Sequence, residues 1–148
     1  MSTNLLRRSC TPVERGTIYT VGYADTEAET QLERLMRMPR TLLVDIRCSP
    51  RSRWFPLWNR AALERRYGGR YVWEPRLGNV NYQHKDLGIQ LAPGYEDAVC
   101  ELAVLLVEGT SLVLLCACKN PRACHRSLVA RLIQDLLPAP QQSGEVRG

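Results

Sequence analysis

Phenylalanine occurs once in this 148-residue chain, as Phe55, so the interior must be filled by Leu and Val with a few Trp and Tyr. No apolar run approaches the roughly 20 residues that a bilayer-spanning helix needs, which excludes such a span and any expectation of a membrane partner. The opening MSTNLLRRSCTPVERG lacks the apolar centre of a secretory signal, so the sequence reads as cytoplasmic. There is no internal repeat. Nor does a Lys/Arg tract or an RNA-binding aromatic signature accompany the net charge of +5 and pI of 9.1. That charge permits nucleic acid, phosphate or another anion as a partner without requiring one.

What is present fits an ordinary globular domain: 45% hydrophobic and 24% charged residues. At this length one domain buries about two-thirds of its unfolded surface. Residues 1–16 are expected to be a flexible tail, 17–138 the domain, and 139–148 a disordered tail. GTIYTVGYA (16–24) alternates β-branched and aromatic residues and closes on Gly22, as a strand entering a turn does. Asp25 or Thr26 can cap a helix that ends at Pro39. TLLVDIR (41–47) reads as a second strand, Asn59 to Tyr67 as a short helix, and RYVWEPRLGN (70–79) as a third strand and a turn. A loop from Val80 to Pro93 carries His84 and Lys85; a helix over 94–109 and a strand over 111–116 follow. The last helix has an apolar stripe of Leu128, Val129, Leu132, Ile133 and Leu136. Strands alternating with helices predict an α/β domain, a mainly parallel sheet of about four to five strands flanked by helices.

Ligands of such sheets bind outside the carboxyl ends of the strands. That rim would gather Tyr23 from the first strand, Asp45, Arg47, Ser52 and Arg53 from the second, and Cys116 to Arg126 from the last. Asp45 and Arg47, two apart on a strand, project to one side, either as a mutual ion pair or as part of an anion pocket.

Six cysteines without a sign of secretion point to free thiols or metal ligands. Cys100 sits in an apolar run and reads as a small core residue; Cys10 lies in the tail. Pro121 suits a first helical turn, so Cys124, His125 and Arg126 fall at a helix start. There the dipole, with Arg122 and Arg126, lowers a thiol's pKa. Three readings compete. Cys116, Cys118, Cys124 and His125 are small interior residues, or tetrahedral zinc ligands, or parts of a reactive anion-binding site. Against zinc stand the C-x-C-x5-C-H spacing and the expectation that neighbouring side chains at 124 and 125 diverge on a helix. The third reading makes Cys124 or Cys116 the thiolate, assisted by His125, Arg126 and Asp45. Tyr23, Arg47, Ser52 and Arg53 then bind a phosphorylated or nucleotide-like substrate, with no metal in the site set and the cofactor undetermined. An alternative is a nucleic-acid-binding module that uses Arg47, Arg51, Arg53, Arg65, Arg66, Arg70 and Arg76 with interleaved Trp and Tyr.

The ordered set Thr20-x-Gly22-Tyr23, Asp45-Ile46-Arg47-x-x-Pro50-x-Ser52, Leu77-Gly78, Leu115-Cys116 and Cys124-His125-Arg126 resembles the domain-of-unknown-function family 488 over about residues 17 to 137. The resemblance implies a small bacterial or archaeal α/β protein and supplies no reaction. It also implies that Cys118 stands where other members often carry Glu, which moves weight from Cys118 onto Cys116 and Cys124. Leu77-Gly78-Asn79 departs from the family's Leu-Gly-Gly.

Overall fold

The structure is a computed structural model that describes residues 14–118 and 124–138. Among these residues four strands form one sheet: β1 (Ile18–Gly22), β2 (Thr41–Asp45), β3 (Tyr71–Trp73) and β4 (Ser111–Cys116), in the order β1-β4-β2-β3. All three pairings are parallel, with Gly22 opposite Cys116 and Asp45 opposite Leu115. The inner strands β2 and β4 are the continuous apolar runs, because a strand covered on both faces has no solvent side on which to alternate.

Among the described residues four α-helices cover the sheet: α1 (Ala28–Met36), α2 (Arg60–Tyr67), α3 (Tyr95–Val107) and α4 (His125–Leu136). Strand alternation divides the core in two. Leu43, Val113 and Leu115 face α1 and α2 through Leu32, Met36 and Leu63. Val44, Leu112, Leu114 and Cys116 face α3 and α4 through Leu102, Leu106, Val129 and Ile133. The chain thus moves outward from β1 to β3 with its helices on one face, then returns to the middle of the sheet with its helices on the other. Right-handed crossovers require that arrangement. The loops leaving β1 and β2 part from the loop leaving β4, which opens a crevice at the carboxyl ends.

The expected elements are present, with local differences. Cys100 is exposed instead of buried: it lies one residue past Val99, about 100° around α3 from that buried position. The α4 stripe ends at Ile133, leaving Leu136 exposed. Asp25 supports the start of α1 from outside it, its carboxylate accepting the N–H of Glu27 and its carbonyl that of Ala28. Arg15 and Gly16 are hydrogen-bonded to Pro138 and Leu106. Cys10, Pro121 and Arg122, and the tail over 139–148, lie outside the described residues. No helix among the described residues is long and apolar enough to cross a membrane.

Candidate functional site

A cavity of about 690 Å³ occupies the crevice. The β1 end contributes Tyr23, the β2 end Arg47, Cys48, Ser49 and Arg51, and the chain after β4 Cys118 and His125. Its outer wall is the loop after β3, with Tyr82, Lys85 and Ile89. That loop is not formless. The Asn79 side chain accepts the N–H groups of Asn81 and Gln90, and Val80 donates to Gln90, closing the segment on itself.

The sulfur and imidazole groups sit at the start of α4. Cys124 is its N-cap, with extended backbone (φ −116°, ψ 145°), and its Sγ accepts the Arg126 N–H at 3.5 Å. Being extended instead of helical, Cys124 aims its side chain toward His125. Sγ and Nδ1 stand 3.7 Å apart, against the sequence expectation that they diverge. His125 Nε2 lies 2.8 Å from the Ile46 carbonyl, which can only accept, so Nε2 carries the proton and Nδ1 presents its lone pair to the thiol. Burial, together with the Arg126 charge, pulls the imidazole below its ordinary pKa despite the Ile46 bond, and so keeps it a neutral base.

Cys116 and Cys124 meet sulfur to sulfur, and Cys118 completes a group of three whose Sγ atoms lie within 4.8 Å of one another. The Cα atoms of Cys116 and Cys124 are 7.8 Å apart, beyond the roughly 4.4–6.8 Å that a disulfide spans. Arg126 Nη1 braces the group, donating to the Cys118 carbonyl at 3.0 Å and standing 3.8 Å from Cys116 Sγ. Gly22 makes room for this contact: a Cβ there would come within 1.9 Å of Arg126 Nη1 and 1.6 Å of the Cys118 carbonyl oxygen. This explains why the strand closes on glycine at that position.

Asp45 and Arg47 form the ion pair that the sequence offered as one of two readings. Asp45 accepts Arg47 Nε at 2.7 Å and Nη2 at 2.6 Å, and Tyr71 donates its hydroxyl to the same carboxylate at 2.6 Å. Arg47 Nη2 also reaches the Trp58 carbonyl, and the guanidinium lies 5.4 Å over the Tyr23 ring, itself stacked on Trp58. Burial opposes the Arg47 charge, yet the Asp45 bonds and carboxylate carry it above its ordinary value. Burial and the Asp45 bond push the Tyr71 phenol up, so it stays a donor. Among the described residues Arg47 Nη1 has no hydrogen-bond partner. Asp45 therefore orients Arg47, which lines the cavity while Asp45 does not.

The structure thus brings Tyr23, Arg47 and His125 to the cavity wall and sets Cys116, Cys124 and Arg126 directly behind it. Ser52 and Arg53 stand apart, in a second basin beside α2, where the Ser52 hydroxyl accepts the Phe55 N–H. Sequence reasoning took weight off Cys118, the one sulfur of the three on the wall, gave Arg51 only to the nucleic-acid alternative, and left Lys85 and Tyr82 out of the site. The C-x-C step off a strand end was the available signal for Cys118. Nothing in the weak pattern of residues 80–93 marked the outer wall.

No curated protein and no solved structure matches the chain. The family profile described as domain of unknown function DUF488 matches residues 27–133, which take in three of the four strands, the first three helices and most of α4, though not the Thr20-x-Gly22-Tyr23 element. The chain belongs to the DUF488 family.

Proposed function

We propose that this domain is a thiol-dependent enzyme acting on a small anionic substrate, phosphorylated or nucleotide-like, held in the cavity at the carboxyl ends of the strands. The supporting observation is the fixed tautomer of His125, whose free Nδ1 faces Cys124 Sγ beside a cavity lined by Arg47, Arg51 and Lys85. His125 Nδ1 takes the Cys124 proton, and the thiolate is held by the Arg126 N–H and the helix dipole. Cys118 is the sulfur that a substrate meets first. It lies within 4.8 Å of the other two, so one proton exchange moves the thiolate onto it. Arg51 and Lys85 attract the anion, and Arg47, held by Asp45 at the cavity wall, adds its charge.

Iodoacetamide labelling mapped by mass spectrometry across pH tests this. Cys124 is expected to label with a midpoint below the ordinary thiol value of about 8.5, and His125→Gln to raise that midpoint. If none of Cys116, Cys118 and Cys124 labels below that value, the proposal is wrong.

The convergence of three sulfurs also favours a second reading, a soft metal ion such as zinc with His125 Nδ1 nearby as a fourth donor. The His125 Nε2–H bond to a backbone carbonyl is the outer contact that metal-bound histidines make. Elemental analysis of protein purified without a His-tag separates the two. One zinc per chain, with labelling only after chelation, replaces the thiol reading.

A further inference from the structure

The second basin, about 780 Å³, lies beside the first and shares with it the wall Cys48, Ser49 and Arg51. Three arginines line it, Arg51, Arg53 and Arg60, against one carboxylate, Glu64, which is paired with Arg60 at 2.9 Å. Arg53 and Arg60 lie 5.7 and 4.9 Å over the rings of Trp54 and Trp73. The segment between β2 and α2 also holds apolar rings out in solvent: Trp54 is 78% exposed and Phe55 51%. Phe55 meets Tyr23 edge-on at 6.0 Å, and Tyr23 lines the thiol cavity. Cationic groups and aromatic faces therefore run without a break from the second basin into the first.

Several other basic side chains among the described residues are committed within the fold. Arg70 donates to the Thr41 and Met38 carbonyls, Arg76 is paired with Glu74 and Glu101, and Arg66 with Glu29 and Glu33. No ion pair occupies Arg51 or Arg53 among the described residues. Of the 20 basic residues only Lys85 and Lys119 are lysines. Arginine binds phosphate with two donors and stacks on planar rings, which lysine does not do.

We infer that the anionic substrate is one nucleotide of a single-stranded nucleic acid. It enters the thiol cavity while the next phosphates lie against Arg51, Arg53 and Arg60 and a neighbouring base stacks on Trp54. This rests on the cavity being an anion site, as proposed above, and adds the polymer. A free nucleotide leaves the second basin and Trp54 unused. An acidic peptide supplies charge without the repeated rings, and a duplex keeps its bases stacked away from Trp54.

Fluorescence anisotropy with a labelled twelve-residue oligothymidylate and an oligouridylate of equal length tests the inference, with the mononucleotide and a duplex of the same length as competitors. Expected are binding that weakens steeply from 50 to 200 mM salt, and a roughly tenfold loss for Trp54→Ala. Arg51→Ala and Arg53→Ala should each lower the salt slope by about one. These side chains are exposed, so the variants are expected to keep the wild-type melting temperature. Absent binding at 50 mM salt, affinities unmoved by all three variants, or equal competition by mononucleotide or duplex would overturn the inference. Repeating the titration with Cys118→Ser and Cys124→Ser separates the two claims. Binding kept in those variants while no thiol labels below pH 8.5 sinks the enzyme and leaves the polymer site standing; labelling without oligonucleotide binding does the reverse.

Discussion

The Asp45→Asn substitution removes one charge from a pair in which Asp45 is fully buried and Arg47 is 5% exposed. The guanidinium remains, because its Nη2 is also held by the Trp58 carbonyl, but its counter-charge is gone. Breaking a buried pair from one side costs about 3–5 kcal/mol, since the survivor has lost the exchange of water for a partner. The introduced amide would keep one oxygen for Arg47 Nε or Tyr71, which places the expected loss near the lower end, about 3 kcal/mol. For a chain of this size that is a fall in melting temperature of roughly 6–12 °C. Arg47→Met leaves the carboxylate with the Tyr71 hydroxyl and the backbone N–H of residue 47 but no counter-charge, and is expected at the upper end, about 5 kcal/mol. The double variant strands neither charge, so its loss should fall short of the sum of the two by about 1.5–3 kcal/mol. Urea denaturation followed by circular dichroism, run on all four proteins as a double-mutant cycle, reads each value. A single-variant loss below about 1 kcal/mol, or strict additivity, would mean that the pair is not the fixed unit described and that Arg47 is not held by Asp45.

Stability should depend on pH through His125. Its folded pKa lies below the ordinary 6.5, so in the window beneath that value the unfolded chain binds the extra proton. The contribution is full above about pH 6.5 and is lost as pH falls toward the folded value. Comparing denaturation midpoints at pH 7.5 and 5.5 should show a smaller drop in His125→Gln than in wild type; equal drops would exclude His125 as the source. Gly22→Ala has to displace Arg126 or the chain at Cys118 and is expected to cost more than about 1 kcal/mol, with the altered thiol reactivity read by iodoacetamide; an unchanged labelling profile would show that Arg126 does not brace the sulfurs. Burial raises the Cys48 thiol, so Cys48 should alkylate only above the ordinary thiol value of about 8.5; a midpoint below it on a peptide map would contradict this placement.

The fold was legible because its signals are local and strong. The apolar runs of β2 and β4 and the stripe of α3 follow from periods that a reader can count. The convergence of Tyr23, Arg47 and His125 on one cavity followed from topology, since parallel strands place all their carboxyl ends on one rim. Side-chain direction could not be read in the same way. Whether Cys124 and His125 converge turns on one backbone conformation at the cap, and whether Arg47 meets a ligand or Asp45 turns on a Tyr71 hydroxyl 26 residues away. Cys100 shows the same limit on a smaller scale, where a single residue of helical phase separates core from solvent.

The N-cap role of Cys124 places two properties on one sulfur. The sulfur that accepts the Arg126 N–H holds the first turn of α4, and the same sulfur faces the imidazole. Oxidising or alkylating it would withdraw an acceptor from α4 as well as the proposed nucleophile from the site. A spent thiol would then show up as a loosened helix, so amide exchange at Arg126 and Ser127 becomes a gauge of the chemical state of the sulfur.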